Sequence, residues 1–281
     1  MGEPVPKRTS TRQHDADTKA FLASLGSSSY HRPQRRAFAD VVECMAIALS
    51  NTIDHPTRAQ RQERYAEIVA RYADDPELLA RAAAALFAAI AAAGDGHDGP
   101  DVLGRVYMQL DASNDALGQF FTPYHVARMM ATLTLTGAES AIATKGFISV
   151  AEPASGSGTM VLAAADVLEE TGFNPSETMY VEARDTDRTA IHMVYIQMTL
   201  RGLAATAILG NTLALEDREL WFTPALATKL WTTRLTAKAL AAAPPIADIP
   251  VIHTATGPAA LVQPSLFDLL PLSDEPRRPA A

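Results

Sequence analysis

The chain has 281 residues, of which 48% are apolar and 20% are charged, so it can bury a sizeable core and is not a disordered protein. Its formal net charge of −8, from 24 basic and 32 acidic residues, lacks the basic excess typical of proteins that bind nucleic acid through charge alone. The single cysteine, Cys44, excludes an intramolecular disulfide and a cysteine-cluster zinc site, and it favours a reducing compartment.

The sequence contains no segment typical of a membrane span or a secretory signal. The most apolar run, residues 78–93, is mostly alanine and carries Arg81, which indicates a packed helix. Residues 1–8 lack the apolar core of a signal peptide. We therefore expect a cytoplasmic protein that makes no membrane contact.

The first half of the chain is predicted to contain helices. Residues 1–33 are polar and aperiodic and are interpreted as a flexible arm. The basic residues that follow His31 indicate either a contact surface or a solvated face. From residue 34 to residue 115, apolar side chains recur at helical spacing, interrupted at Pro56 and Pro76, which predicts a helical N-terminal region.

The second half alternates short apolar runs with helical patterns. Strands are predicted at 146–152, 179–181 and 206–209, and helices at 159–170, 187–201 and 224–242. Strands joined by helices of this length form right-handed crossovers within a parallel sheet. The fold class of this half is therefore α/β.

A glycine-rich turn follows the first predicted strand. In the segment 152–158 (Glu-Pro-Ala-Ser-Gly-Ser-Gly), the glycines would let a ligand approach the backbone at a positive helix end, although such a turn is also compatible with a plain tight connection. Asp185 follows the second strand and Asn211 the third. These polar groups predict one nucleoside-sized site at the carboxyl edge of the sheet. Asp185 would accept hydroxyl groups of a ribose, unless it serves beside Asp187 as a helix N-cap.

Three short motifs, at residues 118–123, 152–158 and 210–213, together resemble those of the adenine-specific DNA methyltransferases found in restriction-modification systems. Residues 118–123 (Gly-Gln-Phe-Phe-Thr-Pro) resemble the Gln-Phe-aromatic-Thr-Pro motif that contacts the methionine end of S-adenosylmethionine in that family. Residues 152–158 resemble its Asp-Pro-x-x-Gly-x-Gly loop, with Glu152 in place of Asp. Residues 210–213 (Gly-Asn-Thr-Leu) resemble Gly-Asp-Ser-Leu, with Asn211 in place of Asp. The similarity extends from about residue 101 to residue 215.

This resemblance implies a Rossmann-like core that binds S-adenosylmethionine, and DNA as the partner. The implied cofactor-binding residues are Gln119, Phe121, Thr122 and Pro123 on the methionine side, Glu152, Ser155, Gly156 and Gly158 as the floor, Asp185 at the ribose and Asn211 at the adenine amine. The acidic residue Glu152 would attract the cationic sulfur of this cofactor. A phosphate-binding loop would be followed by a Lys, and no Lys follows this turn. The domains are then an arm (1–33), a helical region (34–115), the core (116–243) and a Pro/Ala-rich tail (244–281).

The catalytic motif of the resembling family, Asn/Asp/Ser-Pro-Pro-aromatic, does not occur in this sequence. The only Pro-Pro pair, Pro244-Pro245, lies between Ala243 and Ile246, so the polar acceptor and the stacking ring are both missing. The aromatic residues in the segment 221–224 (Trp-Phe-Thr-Pro) stand in a different order and are interpreted as packing residues. About 70 residues follow Asn211, too few for a seven-stranded sheet and a target-recognition domain, so the core is expected to be truncated.

Two hypotheses about function therefore remain open. In the first, the chain is a DNA methyltransferase whose acceptor group comes from a partner or specificity subunit. In the second, which the altered motifs favour on chemical grounds, it is a non-catalytic protein that binds cofactor, DNA or another protein, with a regulatory or counter-restriction role.

The tail contains one further motif. Residues 263–267 (Gln-Pro-Ser-Leu-Phe) resemble the short Gln-x-Ser/Asp-Leu-Phe peptide with which bacterial proteins dock on the replicative sliding clamp. Leu266 and Phe267 would enter an apolar pocket, while Gln263 and Ser265 set the register. The alternative is that the apolar side chains of this segment fold back onto the domain.

Overall fold

A computed structural model of the chain describes residues 18–19, 21–23, 25, 33–93, 99–111, 121–228 and 231–242. The chain divides into two compact units, Met1–Lys229 and Leu230–Ala281. None of the helices within the described ranges is long and apolar enough to cross a membrane.

The N-terminal region is helical, as the apolar spacing predicts. Its helices are α1 (Gln34–Ser50), α2 (Arg58–Ala70), α3 (Leu78–Ala92) and α4 (Val102–Asp111). Helix α1 buries an apolar stripe that includes Phe38, Val41 and Ile47. Two further helices, α5 (Tyr124–Thr134) and α6 (Ala138–Lys145), lead into the sheet.

The sheet contains four described strands in the order β1-β2-β3-β4. Strands β1 (Ile148–Glu152), β2 (Met179–Asp185) and β3 (Ala204–Asn211) are parallel, and β4 (Glu216–Phe222) is antiparallel to β3. Helices α7 (Thr159–Glu170) and α9 (Arg188–Leu200) form the crossovers, and the short α8 (Pro175–Thr178) precedes β2. The fold is thus a mixed α/β architecture preceded by helices.

Strand β3 is buried along almost its whole length, whereas the first three residues of β4 are exposed and only Trp221 of this strand is buried. The sequence of β3, Ala-Ala-Thr-Ala-Ile-Leu-Gly-Asn, suits a strand covered on both faces. Strand β4 begins with four charged residues, Glu216 to Glu219, and therefore carries no apolar alternation that would predict a strand. It forms because it pairs with β3 as an edge strand.

After β4 the structure differs from the single helix predicted over 224–242. Helix α10 (Pro224–Thr228) belongs to the first compact unit and helix α11 (Trp231–Ala242) to the second. Residues 229–230 between them lie outside the described ranges.

The helical region and the α/β core lie within the same compact unit and share one hydrophobic core. Helix α1 packs against α9, and Arg61 of α2 reaches the edge strand β4. Its guanidinium pairs with Asp54 at 2.7 Å, donates to the carbonyl oxygen of Leu220 at 2.8 Å, and lies 3.8 Å from the centre of the Trp221 ring. Burial lowers the pKa of Arg61, and the Asp54 carboxylate counteracts this effect.

We expect Arg61→Ala to lower the free energy of unfolding by about 3 kcal/mol, because the buried Asp54 carboxylate then loses its guanidinium partner. Arg81→Ala is the matched control, since Arg81 pairs with Asp75 and Glu77 on an exposed surface and such pairs stabilise little. Urea unfolding of both variants measures the difference. Equal losses would contradict a special role for Arg61.

Candidate functional site

The site predicted from the sequence lies where the three parallel strands end. Because β1, β2 and β3 run in the same direction, Glu152, Asp185 and Asn211 lie at one edge of the sheet. The register places Glu152 beside Ala183 and Asp185 beside Leu209. The structure therefore brings these polar residues to one edge.

The glycine-rich loop after β1 is bound to the end of β2. The Ser155 amide donates to the Arg184 carbonyl oxygen at 2.8 Å, and the Gly156 amide donates to the Asp185 carboxylate at 2.8 Å. Gly158 has φ +102°, and a Cβ atom there would lie 2.7 Å from the Val194 side chain. Only glycine combines this conformation with such close packing.

The structure separates the two roles considered for Asp185. Asp187, not Asp185, is the N-cap of α9, since its carboxylate accepts from the amides of Thr189 and Ala190 at 2.6 and 3.3 Å. Asp185 uses one oxygen for the Gly156 amide and the other for the Asp187 amide at 2.9 Å. A carboxylate has about four acceptor positions, so Asp185 retains capacity for two hydroxyl donors.

Glu152 lies close to Asp185 and is partly buried. Burial raises the pKa of Glu152, and the Asp185 charge adds to this effect, while the hydrogen bond that Glu152 accepts from the Ala154 amide opposes it. Two carboxylates that repel each other in a partly buried site favour a cationic ligand between them.

Ser155 is the remaining polar group of the loop floor. It is 6% exposed, and its Oγ is buried with no hydrogen-bond partner among the described residues. Buried hydroxyl groups in proteins normally have a partner, and an unpartnered one beside a ligand loop is a natural contact for a bound molecule.

Asn211 is placed at the edge as predicted, but its amide oxygen is used locally. It accepts from the amides of Leu213 and Ala214 at 3.0 and 3.1 Å, and these two donors identify the atom as oxygen. The oxygen is thus not available for the adenine amine in this arrangement, and the Nδ2 group is the one that can face a ligand. The next residue, Thr212, donates to the Pro153 carbonyl oxygen at 2.7 Å and so ties this turn to the glycine-rich loop.

The aromatic segment before α5 precedes the glycine-rich loop in the chain and contacts it through Phe121. The Phe121 ring lies so close to Gly156 that a Cβ there would be 2.8 Å from it, and the ring packs on Tyr107 with centres 5.6 Å apart. Thr122 and Pro123 are exposed at the start of α5. Gln119 lies outside the described residues.

One side of this site is formed by an edge of the sheet. Among the described strands β1 pairs only with β2, and its residues are half-buried or exposed. In the neighbouring α5, Met129, Met130 and Leu133 are 59%, 45% and 69% exposed and follow one helical stripe. Helix α5 packs against α7, and α6 contacts β1.

Trp221 and Phe222 lie away from the site. Phe222 pairs with Thr206 at the amino end of β3, and Trp221 is buried against His192 and Tyr195, with ring centres 4.8 and 5.5 Å away. Their interpretation as packing residues agrees with this placement. Trp221 also contributes to the wall of a cavity of about 760 Å³ that lies along β4 and α2.

The first strand of the parallel sheet is followed by a glycine-bearing loop and a helix, and the first two strands end in carboxylates, which is the arrangement of a Rossmann-like α/β core. Residues 98–246, more than half of the chain, match the family model of the N-6 DNA methylases. The chain belongs to this family, and its α/β core is methyltransferase-like. Search of curated proteins gives no match to the chain. The family acts on DNA and implies an S-adenosylmethionine-dependent reaction.

Proposed function

We propose that the chain binds S-adenosylmethionine at the carboxyl edge of its sheet and takes part in adenine-N6 methylation of DNA in a restriction-modification setting. The observation that carries this proposal is the placement of Asp185, Glu152 and the Ser155 hydroxyl around a loop whose close packing requires glycine at positions 156 and 158. Within the described ranges this hydroxyl has no hydrogen-bond partner. The proposal also rests on the family of the chain.

The residues of the site fit the chemistry of this cofactor. When bound, the cofactor supplies a methyl group on a cationic sulfur. Asp185 has acceptor capacity for the ribose hydroxyl groups, and Ser155 can pair with a polar group of the ligand. Glu152 lowers the energy of a nearby positive charge, and Phe121 provides an apolar wall beside Gly156.

The group that would polarise the adenine amine is proposed to come from a partner subunit. An exocyclic amine is a weak nucleophile, and its base must leave the stack before it can react. The Asn/Asp/Ser-Pro-Pro-aromatic motif is missing from the sequence. The outer side of β1 lies next to the loop, where a partner's strand could add to the sheet.

DNA contact by this chain alone has little electrostatic support. Net charge is −8, and arginines near the sheet are paired with acids, as in Arg188 with Glu219 and Arg184 with Asp217. A partner that contributes positive charge would supply the attraction to phosphate that proteins use to hold DNA. This charge pattern supports the dependence on a partner.

The alternative function is a non-catalytic accessory protein that binds the cofactor but transfers no methyl group. The engaged oxygen of Asn211 and the missing motif favour it. A transfer assay with methyl-labelled cofactor and duplex DNA separates the two functions. Label in DNA with the isolated chain would refute the accessory role, and label only after a partner is added would support the first proposal.

Cofactor binding is tested by calorimetric titration with S-adenosylmethionine. We expect one saturable site in the wild-type chain and an affinity at least about tenfold weaker in Asp185→Ala, because the loop amide and the ribose lose their acceptor. Asp187→Ala is the matched control, since it removes a helix cap on the same turn but not the site. No binding by the wild type at millimolar ligand would overturn the proposed function.

The affinity should also depend on pH through Glu152. Its pKa is raised, so the carboxylate becomes neutral at a higher pH than an ordinary glutamate and then no longer attracts a cationic ligand. We expect binding to weaken as the pH falls from about 8 to about 5. Glu152→Gln should bind weakly across this range and show a flatter profile, and titration calorimetry at several pH values measures both. An identical pH profile in wild type and variant would exclude this role of Glu152.

Docking on the sliding clamp through residues 263–267 remains a separate proposal, and this peptide lies outside the described residues. It predicts that purified clamp retains the wild-type chain and loses it when Leu266 and Phe267 are both changed to alanine. Equal retention of the two proteins would end this proposal.

A further inference from the structure

A buried carboxylate outside the predicted site contacts the glycine-rich loop. Asp101, at the start of α4, is 5% exposed. One of its oxygens accepts from the Gly104 amide at 2.8 Å and from Gln197 Nε2 at 3.0 Å. The other accepts from the Ser157 hydroxyl at 2.5 Å and from the Thr159 hydroxyl. Four donors fill the acceptor positions of this one carboxylate.

The donors come from three different parts of the chain. Gly104 belongs to α4, Gln197 to α9, and Ser157 and Thr159 to the loop and the first turn of α7. Gln197 Nε2 also donates to the Ser157 carbonyl oxygen at 2.6 Å. The network therefore connects the loop to the helical N-terminal region on one side and to the second crossover helix on the other.

Glycine at position 104 makes this arrangement possible. A Cβ atom there would collide with the Asp101 carboxylate and the Ser157 hydroxyl. Helix α4 meets the loop a second time through Tyr107, which packs on Phe121, and Phe121 in turn lies against Gly156. Helix α4 thus supports the loop at two separate points.

We propose that Asp101 is a positioning residue that holds the glycine-rich loop in its ligand-binding shape and makes cofactor affinity depend on α4. The identity of the ligand in this inference rests on the proposed function. The effect of Asp101 on the shape of the loop does not depend on that function. Asp101 makes its contacts through Ser157 and Thr159 and not at the predicted ligand-facing residues Ser155 and Asp185.

The test compares Asp101→Asn with Asp40→Asn in the full chain. Asparagine keeps the size of the side chain but removes its charge and turns one acceptor atom into a donor, so it can no longer accept from all four groups. Asp40 is the matched control because it is also buried in the helical region. It accepts from the Tyr72 hydroxyl at 2.9 Å and pairs with Arg71, and neither of these partners forms a hydrogen bond with Asp101.

We expect Asp101→Asn to weaken S-adenosylmethionine binding by about tenfold, and Asp40→Asn to leave it unchanged even if both lower the melting temperature alike. In a double-mutant cycle, Thr159→Val should weaken binding in the wild-type background and add little in Asp101→Asn. Equal affinities of the two Asp variants, or additive effects in the cycle, would overturn the proposal.

Hydrogen exchange measures the protection of the loop amides and does not require the cofactor. It therefore tests the role of Asp101 even if the wild type binds no S-adenosylmethionine and the proposed function fails. The amides of residues 156–159 should exchange about tenfold faster in Asp101→Asn than in Asp40→Asn, because the loop loses its anchors. Unchanged protection of these amides relative to the control would refute a positioning role for Asp101.

Discussion

The hydrogen bond from the Gly156 amide to the Asp185 carboxylate is the constraint on which the site depends. It joins the loop after β1 to the end of β2, and it is possible because parallel pairing brings both strand ends to one edge of the sheet. The loop must approach Asp185, Phe121 and Val194 closely, and this excludes side chains at Gly156 and Gly158. The ligand-facing groups are therefore positioned by backbone packing more than by their own rotamers.

The glycine-rich loop is held by contacts from several segments outside the sheet. Asp101 and Gln197 form hydrogen bonds with Ser157. Thr212 donates to the Pro153 carbonyl oxygen, and the Phe121 ring lies against Gly156. The helical region thereby becomes part of the site, since α4 contributes the carboxylate and α1 packs on α9. This sharing of contacts explains why helices and sheet form one compact unit.

The groups at the carboxyl edge of the sheet fit the proposed cofactor, but the sequence lacks the motif that would polarise an adenine amine. Glu152 and Asp185 favour positive charge, while the Asn211 oxygen is bound to its own turn. Membership in the N-6 DNA methylase family favours methyl transfer, whereas the missing Pro-Pro-aromatic motif favours a non-catalytic role. The proposed partner, which would add a strand to the outer side of β1, is compatible with both observations, because that strand would end beside the same loop.

Local sequence determined the parts of this protein that short-range physics controls. Apolar periodicity predicted α7 at its observed bounds and β1 to β3 within a few residues, and the predicted parallel strands placed Glu152, Asp185 and Asn211 at one edge. Only the tertiary structure decided the rest. Strand β4 has a charged sequence and exists through pairing with β3, Asp187 rather than Asp185 caps α9, and Asp101 reaches Ser157 across 56 residues of chain. These features depend on contacts between distant segments, which no local pattern of apolar or polar residues can encode.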